Sequence, residues 1–448
     1  MIVAERSPLL PIFAIVLVDV LGFTIVIPLL PLYAERFGAS PLVATTLVSV
    51  YAACSLVSTP VIGRLSDTYG RRPLLLLSQA GTCVGFLVLG SASALWMLFV
   101  GRILDGITAG NIATAQAYVS DHTEPQDRAR SFGIIGIAFG TGFMVGPGLG
   151  GWLGTTFGMH VPFFVAAGLS ALSMLCTLVL LPKEGGRDVL EPPLSAAAVG
   201  PYLSVLRRPG VAWLYLEFFL FSFAFSVFSS GFALFAEARF HWSARETGWL
   251  FTYAGVLGVV LQGRWIGYLV KRFSEGHLVL AGFTAALAAY ATLGFARTVV
   301  LLVVGATIQA LGNGVLRPVL TSQITQRVGR NEQGSAIGVS SSLGSLAMAL
   351  APPVGGAMLD REWTLWWALA AALVAMAGLV IALMTRSEWM AGPQPQDHAV
   401  GEPRRGVTRQ ATPPVVVPTT AGSLLPPAQA RPKSPDPGDA PSPWRGRS

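Results

Sequence analysis

The feature that most constrains this chain is a series of about twelve long apolar stretches. A hydrocarbon core of roughly 30 Å needs about 20 apolar residues in each helical span, and each stretch is close to that length. Such stretches predict α-helices, because the strands of membrane barrels are shorter and alternate in polarity. The predicted spans are 9–34, 43–65, 73–92, 95–119, 131–153, 161–181, 211–235, 247–270, 278–296, 298–325, 335–359 and 365–384.

Composition supports the same fold class. Of the 448 residues, 52% are hydrophobic and 12% are charged, whereas about 25% are charged in soluble proteins. The three cysteines lie inside predicted spans without paired spacing, which argues against a disulfide framework and a zinc site. We therefore expect an all-α integral membrane protein in contact with the lipid bilayer, with no cofactor and no metal.

The distribution of Lys and Arg predicts the orientation. Most of these residues lie in loops on the side of the membrane that holds the amino terminus. The loops on the opposite side carry only Arg36, Arg239, Arg245, Arg297 and Arg361. Basic residues accumulate in cytoplasmic loops, so both termini are predicted to be cytoplasmic in a multi-pass protein of a cell membrane, the bacterial inner membrane. The net charge of +7 then reflects topology, and no basic helix with interleaved aromatic residues indicates nucleic acid.

Two polar segments divide the chain. The segment 183–209, rich in charges and proline, predicts a cytoplasmic linker between six-helix bundles at 1–182 and 210–388. The segment 389–448 is rich in proline, and such a composition cannot bury a core, so it predicts a disordered cytoplasmic tail. Unstructured filler explains its proline-rich stretches more simply than docking to a partner domain. We expect the protein to act as a monomer.

Two short motifs recur at nearly one offset, which predicts an internal repeat. The Pro-Gly segment beginning at Pro147 in span 5 matches the segment beginning at Pro352 in span 11, and the segment after span 2 beginning at Gly63 matches that after span 8 beginning at Gly267. Many transporters consist of two halves related about the membrane normal. A duplicated, pseudo-symmetric six-helix unit is therefore predicted.

A polar loop between spans 2 and 3 carries the strongest motif, formed by Gly63, Asp67, Gly70, Arg71 and Arg72. This spacing resembles the signature loop of the major facilitator superfamily. The resemblance implies gating, in which the Asp67 position meets the positive end of a helix dipole in the other bundle, here near residue 335. The alternative is a loop that is basic only because it faces the cytoplasm.

Charged residues inside spans are costly and usually functional. Arg102 and Asp105 in span 4 lie three residues apart, close enough to pair along a helix, and the segment Arg102 to Gly110 resembles the buried Arg-x-x-x-Gly element of drug and proton antiporters. In span 1, Asp19 is an isolated carboxylate that is expensive to ionise, which suits a proton carrier. We predict proton coupling through these three residues, the alternative being a purely structural role.

Polar residues in spans 4, 7 and 10 are candidates for a substrate cavity. In span 10 they are spaced by four residues and drift only about 40° per step, and in span 4 Gln116 follows Asp105 by eleven residues, again nearly on one face. In the resembled fold, spans 1, 4, 7 and 10 line the central cavity. Each amide could instead join helices through hydrogen bonds. The candidates are Gln116, Glu217, Gln309, Asn313 and Arg317.

Span 5 carries a glycine motif that is similar to the antiporter motif of the same superfamily, and glycines at four-residue spacing give a flat face for close packing. Together with the segments Asp19 to Pro31 and Asp105 to Asp121, this motif makes the chain resemble the tetracycline-resistance branch of drug and proton antiporters, roughly over residues 10–385. That branch exports an amphipathic drug, driven by inward proton flux. The carboxyl-terminal half matches less, because Lys271 replaces an acidic position. The gating candidates in span 5 are Gly142, Gly146, Pro147, Gly150 and Gly151.

The leading hypothesis is a secondary active transporter that exports a small molecule in exchange for protons by alternating access. The alternative is a symporter for a nutrient such as a sugar or an organic acid, which the fold permits equally. An enzyme is not expected, because the chain lacks zinc-protease, nucleophile-elbow and phosphate-loop motifs. A receptor or scaffold would leave the buried charges unexplained.

Overall fold

The computed structural model describes residues 9–121, 123, 128–182, 210–328, 333–361 and 363–385. The predicted linker (183–209) and the predicted tail (389–448) lie outside these residues. Within them the chain is helical and contains no strand.

Fifteen α-helices and one π-helical turn make up the described chain. In chain order the α-helices are α1 (Leu9–Val26), α2 (Leu29–Glu35), α3 (Pro41–Tyr69), α4 (Arg71–Gly90), α5 (Leu95–Ile107), α6 (Asn111–Asp121), α7 (Arg128–Phe157), α8 (Val161–Leu180), α9 (Val211–Phe240), α10 (Ala244–Val260), α11 (Ile266–Arg272), α12 (Glu275–Gly294), α13 (Val299–Gln326), α14 (Gln333–Asp360) and α15 (Thr364–Met384).

These helices account for the twelve predicted spans. Span 1 is α1 followed by α2, span 4 is α5 followed by α6, and span 8 is α10, the π-helical turn Leu261–Trp265 and α11. Each remaining span is one helix. Within the described residues, nine helical segments are long and apolar enough to cross a membrane by length and composition. The prediction of an all-α membrane fold is confirmed.

The two sets of six spans show the same pattern of helix contacts. In the first set α1 packs on α7 and α8, and α4 packs on α5 and α8. In the second set α9 packs on α14 and α15, and α12 packs on α13 and α15. Because equivalent helices make equivalent contacts, the structure agrees with the two pseudo-symmetric bundles that the repeated motifs predict.

The core of the second set forms around α9, which is buried along most of its length. The Trp367 indole from α15 stacks on Phe235 with ring centroids 4.8 Å apart, and its Nε1 donates to the carbonyl of Val227 at 3.1 Å. Buried aromatic rings with a satisfied polar atom combine a large apolar area with a fixed orientation. This packing holds α9 against α15.

Two helix pairs join the halves, α3 with α14 and α7 with α10, and both are tightly packed at one end. A Cβ added to Gly356 on α14 would lie 2.8 Å from the Cα of Leu42 on α3. A Cβ added to Gly151 on α7 would overlap the carbonyl oxygen of Ala244 on α10. At this closed end the backbones of the two halves are therefore in direct contact.

The same helix pairs separate toward the other end, which carries the loop between α3 and α4. A Cβ added to Gly63 on α3, to Gly136 on α7 or to Gly344 on α14 would meet no described atom within 4 Å. On α10, Gly258 likewise has open space around it, although the adjacent Val259 would lie 3.1 Å from a Cβ added to Gly140 of α7. Close glycine contacts between the halves thus lie at one end, here called the closed end, and are not found among the described residues at Gly63, Gly136 or Gly344 toward the α3–α4 loop, here called the open end.

Candidate functional site

Asp19 lies within the first six-helix set, between three helices. Its carboxyl group is within hydrogen-bonding reach of Ser173 on α8 and of Gln79 on α4. The Gln79 Nε2 donates to the Ser173 Oγ at 2.8 Å, and that hydroxyl donates to the carbonyl of Ile15 at 3.3 Å. Asp19 Oδ1 and Gln79 Oε1 are both buried without a partner among the described residues.

A second buried group surrounds Asp105. The Arg102 Nη1 donates to its Oδ2 at 2.8 Å, and both side chains are almost fully buried, with 3% and 4% exposed. The Arg102 guanidinium also lies over the Tyr51 ring, 4.2 Å from its centroid. The pairing predicted from the three-residue spacing is present, and the ring of α3 adds a cation–π contact that spacing alone does not show.

Helix α4 connects the two groups. Gln79 reaches Asp19, and Thr82, three residues along the same helix, lies within hydrogen-bonding reach of Asp105. Residues three apart share one helix face, so one face of α4 carries polar side chains toward both α1 and α5. Sequence analysis missed Gln79, Thr82 and Ser173, because a single polar residue in a span resembles ordinary helix-joining residues.

Span 4 is interrupted next to these polar groups, whereas the sequence predicted one continuous span. The helix stops at Ile107 and restarts at Asn111. Hydroxyl groups of α3 donate hydrogen bonds to carbonyl groups at the interruption. Ser58 donates to the carbonyl of Gly106 at 2.6 Å, and Thr59 donates to the carbonyl of Ala109 at 3.0 Å. Irregular backbone at membrane depth requires such partners.

The interruption changes the argument for Gln116. Because no continuous helix runs from Asp105 to Gln116, their eleven-residue spacing does not place them on one face. Gln116 is half-buried on α6, and its predicted place in a substrate cavity stays a prediction.

The three polar residues of α13, Gln309, Asn313 and Arg317, are spaced by four residues and form a stripe that drifts slowly around the helix. Gln309 is buried and lies within hydrogen-bonding reach of Tyr290 on α12, so its amide faces the neighbouring helix of the same half. Asn313 is half-buried, and Arg317 is exposed near the open end. The stripe therefore passes from the helix interface toward the opening between the halves.

Glu217 on α9 is fully buried. Its Oε1 accepts a hydrogen bond from the Thr385 hydroxyl just after α15, at 3.3 Å, and its Oε2 is buried without a partner among the described residues. Like Asp19, which faces α8, Glu217 lies in the first helix of its half and faces the last. The structure thus places the two carboxyl groups in corresponding surroundings.

The loop between α3 and α4 is held by its arginines. Arg71 pairs with Asp67 at 2.5 Å and with Asp121, at the end of α6, at 2.9 Å. Arg72 donates to the carbonyl of Leu178 at 2.6 Å, near the end of α8, where unpaired carbonyls favour a cation. Gly70 adopts φ +92°, which requires glycine in this turn.

The contacts found for Asp67 are therefore within its own half. The resemblance implied an approach to the beginning of α14 near residue 335. The side chains of residues 334 and 335 lie outside the described ones, so this approach stays a prediction.

The glycine motif of α7 packs on two helices at once. A Cβ on Gly146 or Gly150 would overlap Thr24 or the carbonyl of Ile25 on α1, and the Thr24 hydroxyl donates to the Gly142 carbonyl at 2.9 Å. On its other side, the carbonyl of Pro147 leaves no room for a Cβ at Gly248 of α10. The motif therefore lies between the first half and the second.

No group of three or more His, Cys, Asp or Glu residues that could hold a metal ion occurs among the described residues. The polar networks are instead built from single carboxyl groups with hydroxyl, amide or guanidinium neighbours.

Two six-helix sets with equivalent contacts, joined by glycine-lined interfaces and containing buried charges, are the architecture of a secondary membrane transporter. The chain matches the Major Facilitator Superfamily over residues 12–261 and 218–431, and it belongs to that superfamily.

Its relatives include drug-resistance proteins. The tetracycline resistance protein, class C, of Escherichia coli is 32% identical over 381 residues, which cover 82% of this chain and 95% of that protein. Multidrug resistance protein 2 of Bacillus subtilis is 27% identical over 350 residues, covering 77% and 87% respectively. The crystal structure of the nucleoside transporter NupG has a TM-score of 0.72 at 11% identity, over 84% of this chain and 99% of that one, and shows the fold alone. The resemblance drawn from the motifs is confirmed.

Proposed function

We propose that this protein is a proton-coupled antiporter that exports an amphipathic small molecule by alternating access. Similarity to proteins named for tetracycline resistance and multidrug resistance supports export of a drug-like compound. It does not favour the nutrient symporter. The superfamily is one of transporters, in keeping with the expectation that the protein is not an enzyme.

The observation that carries the proposal is the surroundings of Asp19. A carboxylate buried among apolar residues is costly unless its oxygens are satisfied, and Asp19 Oδ1 has no partner among the described residues. The nearby Gln79 Oε1 lacks a donor. A proton on Asp19 would remove the buried charge and supply an O–H group for such an acceptor, so the network is suited to binding and releasing a proton.

Asp105 supplies the second proton site and Arg102 controls it. While Asp105 is ionised, the pair is neutral and the guanidinium is held between the carboxylate and the Tyr51 ring. A proton on Asp105 would weaken its ion pair with Arg102. The Arg102 guanidinium would then keep only its contact with the Tyr51 ring of α3. Because α6 follows the interruption at 108–110, this change can be passed to the rest of span 4.

In this proposal the remaining candidates divide into two roles. The glycine face of α7 lies at the contact between the halves and the α3–α4 loop lies at the open end, and we assign both to closure. Gln116, Glu217, Gln309, Asn313 and Arg317 form the substrate side, with a small molecule and protons as the transported partners. We further propose a monomer in the bacterial inner membrane, with both termini cytoplasmic and its halves at 1–182 and 210–388.

The test is transport into proteoliposomes with an imposed pH gradient, using tetracycline and a panel of amphipathic dyes. Asp19→Asn and Asp105→Asn should each abolish uptake driven by the gradient while substrate exchange at equal pH continues. Asp360→Asn, at an exposed carboxyl at the end of α14, is the matched control and should transport normally. Unchanged gradient-driven flux in both network variants would overturn the proposal.

A further inference from the structure

Arg317 lies on the interior face of α13. At 100° per residue, it shares a side of the helix with the buried residues Ala306, Ala310 and Ile324. Exposed apolar residues occupy another side of the helix, with Val300 and Leu311 about 100° and 120° away from Arg317. The exposure of Arg317 is therefore toward the interior of the protein.

The Arg317 side chain is exposed although it lies on the side of α13 that carries buried residues. This combination describes a group that lines an opening and is not packed into a core. Arg317 is nine residues from the end of α13 at Gln326, which is about 13 Å at 1.5 Å per residue. It thus lies well inside the span, in the half of the helix that leads to the open end.

No hydrogen-bond or ion-pair partner of Arg317 is found among the described residues. Three arginines at other places in the helices do have one: Arg102 has Asp105, Arg239 has the carbonyl of Ala296, and Arg327 has the carbonyl of Gly210. The acidic residue of the neighbouring helix end, Glu275, already accepts from Ser322 and Gln326. A cation at this depth normally faces a partner or a cavity.

A second cation lies at a similar level. Leu261, at the beginning of the π-helical turn, packs against Gly314, where an added Cβ would lie 2.7 Å from its Cδ2. Arg264 and Arg317 each lie three residues further toward the open end, on neighbouring helices that run in the same direction. Arg264 is also exposed, and π-helical turns occur frequently at functional sites.

We infer that the transported molecule carries an anionic group, a carboxylate or a comparable oxyanion, and that Arg317 binds it. Arginine presents planar donors that match carboxylates in pairs, and the unpartnered guanidinium faces an opening that holds no carboxylate near it among the described residues. The inference rests on the proposed function and specifies its class of substrate.

The test is dye binding to the detergent-solubilised full-length protein. Fluorescein is the anionic probe, its methyl ester is the matched probe without the carboxylate, and rhodamine 6G is the cationic probe. Arg317→Gln should weaken fluorescein binding about tenfold or more, and Arg317→Lys should restore part of it, while rhodamine 6G binding is unchanged or stronger. Arg297→Gln, which removes an exposed charge of the same half, should have no effect.

Equal loss of both dyes, or unchanged fluorescein binding in Arg317→Gln, would overturn the inference. If that variant does not fold, the relative affinities of the wild-type protein for the two probes still test the inference. It should bind fluorescein about tenfold more tightly than the methyl ester, and equal affinities would contradict an anion site. Binding requires no pH gradient. A failure of proton-driven transport with intact anion preference would therefore contradict the proposed function alone.

Discussion

The carboxyl groups of Glu35 at the end of α2 and Glu237 near the end of α9 lie within hydrogen-bonding reach of each other, although they belong to different halves. Two carboxyl groups can make such a bond only when one of them holds a proton. The nearest arginine of α9, Arg239, is held by the carbonyl of Ala296 and the hydroxyl of Thr364. The closed end thus contains an acid pair whose cohesion depends on one proton.

The closed end should loosen as the pH rises, because ionisation of both carboxyl groups replaces the hydrogen bond by repulsion. Spin labels on Ser40→Cys and Ala238→Cys, in a background without the native cysteines, should report a longer distance at high pH. The double variant Glu35→Gln/Glu237→Gln keeps a hydrogen bond without a titrating proton, so its distance should be independent of pH. A pH-dependent distance in that variant would assign the effect to other groups.

Removing one member of the Arg102–Asp105 pair should be more harmful than removing both. Asp105→Asn leaves a buried guanidinium without its carboxylate, a change that typically costs about 3–5 kcal/mol. The double variant Arg102→Gln/Asp105→Asn buries no charge and should recover most of the loss. Thermal unfolding in detergent measures the order of stability, and a double variant less stable than Asp105→Asn would be the contrary result.

Gly150→Ala should destabilise the protein and reduce transport, since its Cβ would overlap the Ile25 carbonyl oxygen and backbone cannot move aside as a side chain can. Overpacking of this kind costs about 1–3 kcal/mol. Gly136→Ala, on the same helix with no described atom within 4 Å, should be neutral or slightly stabilising because alanine favours helix. Equal melting temperatures for the two variants would show that the approach of α7 to α1 is looser than described.

Ser58→Ala should destabilise the interruption of span 4 by about 1 kcal/mol, the usual net contribution of one hydrogen bond, because the Gly106 carbonyl loses the Ser58 hydroxyl and keeps the amide of Ala109 as a donor. Ser55→Ala is the control, since the Ser55 hydroxyl bonds only the Ala52 carbonyl of its own helix among the described residues. Hydrogen exchange at residues 108–111 should rise in the first variant and stay unchanged in the second. Identical exchange would indicate that the α3 hydroxyls do not hold the interruption.

The sequence was sufficient for the spans and for contacts along one helix, such as Arg102 with Asp105. Both depend on periodicity and short spacing, which the fold cannot easily override. It was insufficient for contacts between helices. Asp19 meets Gln79 and Ser173 from two other spans, and periodicity tells which face a residue occupies but not which helix lies opposite.

The interruption of span 4 escaped prediction for a related reason. Residues 108–110 contain no proline, and the partners that allow the helix to stop are Ser58 and Thr59 on α3. An apolar run predicts a continuous helix in lipid because free carbonyls are costly there, and only the packed structure shows that they are not free.

The pairing of Arg102 with Asp105 also bears on how the protein is made. An arginine at the centre of a segment opposes entry into the bilayer by about 2.5–3.5 kcal/mol, and a segment must enter before its neighbours can help it. Because Asp105 lies on the next turn of the same helix, the charge can be neutralised as α5 forms during synthesis. Span 4 therefore carries its own counter-ion into the membrane, independent of the order in which the other helices arrive.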